Sequence, residues 1–180
     1  MDDVIVDACC MINLYAAGEL RRRLSLLGGR WYVPTVVMVE ALYVHIEQTD
    51  GTIEKSPIEL QPYVDDGTLL SCTVESAEEL ELYVDLATWI GDGEAMALAL
   101  AIAKSRGWKL STDDRKASRI ADRLSVSVLT TPELIKRWAD SATASCDELR
   151  DTLRLIEDRA KFLPATSHPL YSWWRDSADG

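Results

Sequence analysis

The chain has 180 residues, 47% of them hydrophobic, and a formal net charge of −11 at pH 7. This length suits one domain with a sizeable core and an appendage. The negative charge argues against a general nucleic-acid coat protein, which needs local positive charge, but not against an enzyme that holds metal ions in carboxylates. The acidic start and the absence of a long apolar run predict a cytoplasmic protein without signal peptide or membrane span. Four cysteines are expected as buried, reduced thiols.

Short apolar strands alternate with helices through the first part of the chain. Val4–Val6 is a β-branched run that predicts a buried strand, and a helical pattern follows over residues 11–27. A second strand is predicted at Trp31–Val33. The helix predicted after it passes through Glu40 and is broken at Asp50–Gly51.

The same alternation continues after an irregular stretch at residues 52–68. Ser76 and Glu79 form a capping-box pattern that predicts the start of a helix. In order, the predicted elements are a strand at 69–74, helices at 76–89 and 94–105, a strand at 108–112, a helix at 115–124, a strand at 126–129 and a helix at 132–138. The pattern predicts a three-layer α/β/α domain over residues 1–141, with a five-stranded, mainly parallel sheet. A change in composition near Ala142 predicts a C-terminal helical and aromatic appendage over residues 142–180.

Five acidic residues fall where predicted strands end or predicted helices run. Asp7 ends the first strand, and Asp113 and Asp114 end the fourth, at the edge where ligands gather in parallel sheets. Glu94 lies in the first turn of a helix, where the helix dipole favours a carboxylate, and Glu40 lies between apolar neighbours. Each acid has an ordinary structural interpretation: Asp113 or Asp114 could be the N-cap of the next helix, with Asp113 favoured. Their joint placement predicts a metal site.

The predicted ligands are all carboxylate oxygens, which favour Mg²⁺ or Mn²⁺. His45 and His168 have no partner at zinc-ligand spacing, which argues against Zn²⁺. One or two such ions are suited to the hydrolysis of a phosphodiester.

Candidate substrate contacts lie close to these acids in sequence. Arg115, Arg119 and Arg123 recur every four residues and form a basic stripe that is suited to phosphate contacts or to a solvated helix face. Asn13 is a candidate polar neighbour of the acids.

The motifs in this order resemble those of the PIN domain. They are Val4–Ala8 with Ile12–Leu14, Pro34–Leu42, Gly93–Ala101, Leu110–Arg115 and Val128–Thr131, and they span residues 3 to 140. The resemblance implies a metal-dependent ribonuclease, of the kind often found as the toxin of a toxin–antitoxin pair, with RNA as substrate and an antitoxin-like protein as partner. It also implies that Asp7, Glu40, Glu94 and Asp114 hold the metal, with Asp113 as a supplementary acid.

A second interpretation is a catalytically silent PIN-like module that binds RNA or protein. Trp173 and Trp174 lie near the chain end, where large apolar side chains are rarely left exposed. They are expected to pack on their own domain, on a second copy of the chain in a homodimer, or on an antitoxin-like partner.

Overall fold

The computed structural model describes residues 2–40, 42–90 and 94–180, except for the side chains of Ile90, Glu94, Ala95, Ala97 and Leu98. These residues form two compact units. The first unit contains Met1–Cys10, Gly28–Glu40 and Leu60–Thr130, and the second contains Met11–Leu27, Ala41–Glu59 and Thr131–Gly180.

Strands and helices alternate along most of the chain. The strands are β1 Asp3–Val6, β2 Arg30–Pro34, β3 Tyr43–Glu47, β4 Ile53–Pro57, β5 Leu70–Cys72, β6 Lys109–Ser111 and β7 Val128–Leu129. The helices are α1 Ala8–Ala16, α2 Leu20–Leu27, α3 Thr35–Val39, α4 Gln61–Asp65, α5 Ala77–Ile90, α6 Glu94–Arg106, α7 Arg115–Arg123, α8 Thr131–Ala142, α9 Cys146–Ala160 and α10 Tyr171–Asp179.

The first unit is built on a five-stranded sheet in the order β5-β2-β1-β6-β7, formed by the described residues. Every neighbouring pair is parallel, so the predicted α/β fold with helices flanking a parallel sheet is confirmed. β2 and then β5 lie on one side of β1, and β6 and then β7 lie on its other side. The strand order therefore reverses between β1 and β6, and a crevice outside their carboxyl ends is where such sheets bind ligands.

Helix α6 contains a fully buried segment of this unit. Its run Ala99–Ala103 has no exposed surface, and it belongs to the same core cluster as Ile5 of β1 and Leu110 of β6. A helix that is apolar on every face is stable only when it is covered all round. The core thus fixes the two strands whose ends carry the predicted acids.

The predicted helix through Glu40 and Leu42 to the Asp50–Gly51 break is wrong. Helix α3 ends at Val39, and β3 and β4 form an antiparallel hairpin instead. The Asp50–Gly51 pair turns this hairpin, with Asp50 Oδ1 accepting from the N–H of Thr52 at 2.9 Å. An Asp-Gly pair is a strong hairpin signal, but it also suits the end of a helix, which is what the sequence pattern predicts here.

Arg23 is buried inside the second unit and connects two of its helices. Its guanidinium is nearly buried and lies 3.7 Å from the ring centre of Trp138. It donates to Ala17 O at 3.0 Å and to Thr152 Oγ1 at 2.9 Å, which joins α2 to α9 through a buried polar contact. Stacking on an aromatic ring suits the weakly hydrated guanidinium group.

The C-terminal aromatic residues also pack inside the second unit. Trp174 of α10 is fully buried and donates its indole N–H to Glu157 Oε1 at 2.7 Å. Its ring packs edge-on against the ring of Phe162, with 5.7 Å between the ring centres. Trp174 therefore packs on its own chain. Among the described residues, none of the helices has the length and apolar character needed to cross a membrane.

Candidate metal centre

Asp7 lies at the junction between β1 and α1 and is only 1% exposed. Its backbone N–H donates to Ser111 O at 3.1 Å, which continues the pairing of β1 with β6. Its Oδ1 accepts from the N–H of Cys10 at 2.7 Å, in the first turn of α1. This is the bond that an N-cap side chain makes, so the helix start holds the carboxylate in one orientation.

Every group of the described residues that donates to the Asp7 carboxylate is neutral. The Cys9 thiol lies 3.1 Å from Oδ1 and 3.0 Å from Oδ2, and the Thr112 hydroxyl and the Cys10 N–H donate as well. The pKa of Asp7 is raised to about 6, mainly by burial and to a smaller extent by the nearby charge of Asp113, despite these hydrogen bonds. Loss of hydration outweighs the hydrogen bonds because none of the donors carries a full positive charge.

Asp113 is the second carboxylate at this position. It is half-buried, and its Oδ2 accepts from the Cys10 thiol at 3.1 Å. Cys10 therefore contacts both acids, through its N–H to Asp7 and through its Sγ to Asp113. The carboxyl ends of β1 and β6 thus bring two like charges together in a poorly hydrated place.

Asp114 has a different role in the structure. It is the N-cap of α7, with Oδ1 accepting from the N–H of Ala117 at 2.6 Å, and its own N–H donates to Thr112 Oγ1 at 3.1 Å. The prediction that Asp113 is the cap is therefore wrong. A shift of one residue in the helix start reverses the two positions, and sequence patterns seldom locate a helix start to one residue.

The two predicted glutamate ligands, Glu40 and Glu94, are described in less detail than the aspartates. Glu40 is exposed and follows α3 in extended backbone conformation, with φ −67° and ψ 146°, rather than lying inside a helix. Glu94 is the first residue of α6, as predicted, but its side chain lies outside the described residues.

The predicted substrate contacts fall in two different units. Arg115 and Arg119 lie on the exposed face of α7, in the first unit. Asn13 belongs to the second unit, where it is buried and donates its side-chain amide to Thr131 Oγ1 at 3.1 Å.

Cys9 and Cys10 are the residues that the sequence interpretation missed. A carboxylate oxygen of Asp7 and the two Sγ atoms all lie within 4.8 Å of one another. The available signal was their position in the first turn of a helix that starts directly after a strand-end acid. None of the four cysteines forms a disulfide, but of the expected buried thiols Cys9 is half-buried and Cys146 is exposed.

The arrangement fits a divalent cation. A buried carboxylate that is held by neutral donors beside a second carboxylate carries an electrostatic cost that a bound positive ion offsets. Asp7 meets this condition within the described residues, because no cation contributes to its pKa. Glu79, elsewhere in the same unit, is also buried but is paired with Arg106, and so does not meet it.

A protein-family model described as "DUF3368: PIN domain" matches residues 3–167. The match includes both strand ends described above and extends beyond residue 140, where the last sequence motif ends. Searches of curated proteins and of solved structures return no significant match.

Proposed function

This chain belongs to the PIN-domain family, and from that premise we propose that it is an Mg²⁺- or Mn²⁺-dependent ribonuclease that hydrolyses RNA phosphodiester bonds. PIN domains have a nuclease-type fold and typically use divalent metal. The observation that carries the proposal is Asp7, a buried carboxylate beside Asp113 where the strand order reverses, with no cation contributing to its pKa among the described residues.

The proposed ligands are Asp7, Glu40, Glu94 and Asp114, with Asp113 as a further acid. A bound divalent ion lowers the pKa of a water for attack on phosphorus and offsets charge on the leaving oxygen. The chain's own contribution is positioning: the Cys10 N–H and the Thr112 hydroxyl hold the Asp7 carboxylate in place. No side-chain nucleophile is needed, because the attacking oxygen comes from water.

The substrate is held by positive charge outside the acid cluster. Arg115 and Arg119 are exposed on α7, the helix that follows the second acid pair directly. We assign them to RNA phosphates, where guanidinium groups make paired hydrogen bonds.

The test uses purified protein with mixed RNA and Mg²⁺ or Mn²⁺, beside Asp7→Asn and Glu94→Gln variants. We expect each variant to reduce cleavage by about a hundredfold or more, because removing a ligand costs more than removing a residue that only supports one, which costs roughly 10–100-fold. The matched control is Glu79→Gln, which makes the same chemical change at a buried acid paired with Arg106. It is expected to cleave at the wild-type rate where it remains folded.

Two results would contradict the proposal. Cleavage that persists in both acid variants would show a contaminating enzyme or a different site. Loss of cleavage in Glu79→Gln equal to that in Asp7→Asn, with both proteins folded, would show that the effect does not belong to the metal centre.

The proposal includes a cytoplasmic toxin role with an antitoxin-like partner, which is supported by the family relationship. Induced expression in a bacterial host should then arrest growth, and Asp7→Asn should relieve the arrest at equal protein level. Growth arrest that is unchanged in Asp7→Asn would rule out toxicity through this site.

A further inference from the structure

We propose that Asp7, Cys9, Cys10 and Asp113 form a thiolate–carboxylate centre that binds Zn²⁺ in preference to Mg²⁺. These residues lie at the carboxyl ends of β1 and β6 and in the first turn of α1, and they overlap the proposed Mg²⁺ or Mn²⁺ site. The binding itself does not depend on nuclease activity, whereas its inhibitory consequence rests on the proposed function.

The four side chains already meet in pairs. Cys9 Sγ lies 3.0 Å from Asp7 Oδ2, and Cys10 Sγ lies 3.1 Å from Asp113 Oδ2. The two Sγ atoms and an Asp7 oxygen lie within 4.8 Å of one another. In a tetrahedral zinc site with Zn–S of about 2.3 Å and Zn–O of about 2.1 Å, neighbouring sulfur and oxygen ligands are about 3.6 Å apart. Each of these two pairs therefore needs to open by only about half an ångström. Asp113, which lies outside the group within 4.8 Å and joins it through Cys10, must in addition move toward Asp7 and Cys9.

The donor set decides which metal is preferred. Thiolate is a soft ligand that binds Zn²⁺ well, whereas Mg²⁺ takes oxygen ligands almost exclusively. Each thiol now directs its proton at a carboxylate, so the proton occupies the place that a metal would take between sulfur and oxygen. On binding, two S–H bonds break, two S–Zn bonds form and two protons pass to solvent.

Zinc at this centre would occupy Asp7 and Asp113, two of the acids assigned above to Mg²⁺ or Mn²⁺. The ion would therefore exclude the metal that supports hydrolysis. Cys9 is half-buried, so the group is not closed off by its own side chains.

The experiment uses Co²⁺ as a visible substitute for Zn²⁺ on the full chain. Wild-type protein should develop a thiolate-to-cobalt charge-transfer band that saturates at one equivalent and disappears when Zn²⁺ is added. Cys9→Ser and Cys10→Ala should each weaken Zn²⁺ affinity, measured by chelator competition, by about tenfold or more. The matched control Cys146→Ser removes an exposed thiol outside the group and should leave the band and affinity unchanged.

Folding is checked by circular dichroism, because Cys10 is fully buried and its replacement creates a small cavity. If Cys10→Ala does not fold, the half-buried Cys9 carries the test alone. Equal Zn²⁺ affinity in wild type and Cys9→Ser would overturn the proposal, as would a band that depends on Cys146.

The outcome is separable from that of the proposed function. A charge-transfer band that depends on Cys9, in a protein that cleaves no RNA with Mg²⁺ or Mn²⁺ after Co²⁺ and Zn²⁺ have been removed, supports the thiolate centre and contradicts the nuclease. Cleavage with Mn²⁺ in a protein that forms no band overturns the thiolate centre and leaves the nuclease in place.

Discussion

Asp7 and Glu79 are two buried carboxylates of the same unit, 1% and 3% exposed, with opposite surroundings. Glu79 accepts from Arg106 Nε at 2.6 Å and from the N–H of Glu75 at 2.7 Å. The Arg106 guanidinium is the main reason why the pKa of Glu79 is lowered, although burial opposes it. Asp7 has neutral donors, and burial raises its pKa to about 6.

The difference separates a carboxylate that is paired with an arginine of its own chain from one that we propose as a metal ligand. Glu79 completes a capping box with Ser76 at the start of α5. Its negative charge is compensated by Arg106 of the same chain. Asp7 also caps a helix, but no cation among the described residues contributes to its pKa. A buried acid with a raised pKa at a sheet edge is a mark of a functional site.

The largest effect expected from this comparison is a pair of stability changes with opposite signs. In metal-free protein near neutral pH, Asp7→Asn should raise the free energy of unfolding by about 2–3 kcal/mol, because it removes a buried charge that has only neutral donors among the described residues. Glu79→Gln should lower it by about 2–3 kcal/mol, because Arg106 loses its buried ionic partner and keeps only the exposed Glu75. Urea unfolding in the presence of a chelator measures both. If both variants changed the free energy of unfolding in the same direction, the contrast between Asp7 and Glu79 would be wrong.

A pH series should show the same contrast. Asp7 has a folded-state pKa above its ordinary value of 3.8, so the folded state holds the proton more tightly. Its contribution to stability is therefore present at low pH and is lost as pH rises from about 4 to 6, by about 2–3 kcal/mol. Glu79 has a lowered pKa, so its contribution is present above its ordinary value of 4.5 and is lost on acidification.

The measurement is the difference in unfolding free energy between wild type and each variant, taken without metal from about pH 4 to pH 8. The difference for Asp7→Asn should grow up to about pH 6 and then level off. A difference that does not change with pH would mean that Asp7 titrates alike in the folded and unfolded states.

A smaller effect distinguishes the adjacent acids Asp113 and Asp114. Asp114→Ala removes the N-cap of α7 and should cost about 1 kcal/mol of stability. Asp113→Ala keeps the cap and relieves the repulsion on Asp7, so it should be close to neutral or stabilising without metal. Thermal unfolding of the two variants checks the order. A larger loss from Asp113→Ala would reverse the roles assigned to the pair.

The smallest expected effect concerns the exposed arginines of α7. Replacing Arg115 and Arg119 with Ala should weaken RNA affinity and reduce the slope of its salt dependence by about one unit for each phosphate that is no longer neutralised. Arg154→Ala, at an exposed arginine of α9, is the matched control. RNA affinity that is unchanged across a salt series would exclude phosphate binding by the α7 stripe.

Local patterns predicted several elements closely. The apolar run before Asp7 and the capping box at Ser76 and Glu79 correspond to β1 and to the start of α5. These features depend on residues close in sequence, which is why short-range chemistry predicts them. The hairpin at β3 and β4 was missed because its Asp-Gly turn also suits the end of a helix.

The sequence by itself determined that short strands and helices alternate in a parallel α/β fold and that acids follow the first and fourth predicted strands, because both follow from local periodicity and position. Only the tertiary structure decided that Asp114 caps α7 while Asp113 contacts Cys10 beside Asp7, since a one-residue shift in the start of α7 exchanges their roles. It also decided that Asp7 is buried among neutral donors that include Cys9 and Cys10. Burial and charge compensation depend on residues that are distant in the chain, so they arise only when β1, β6 and α1 come together.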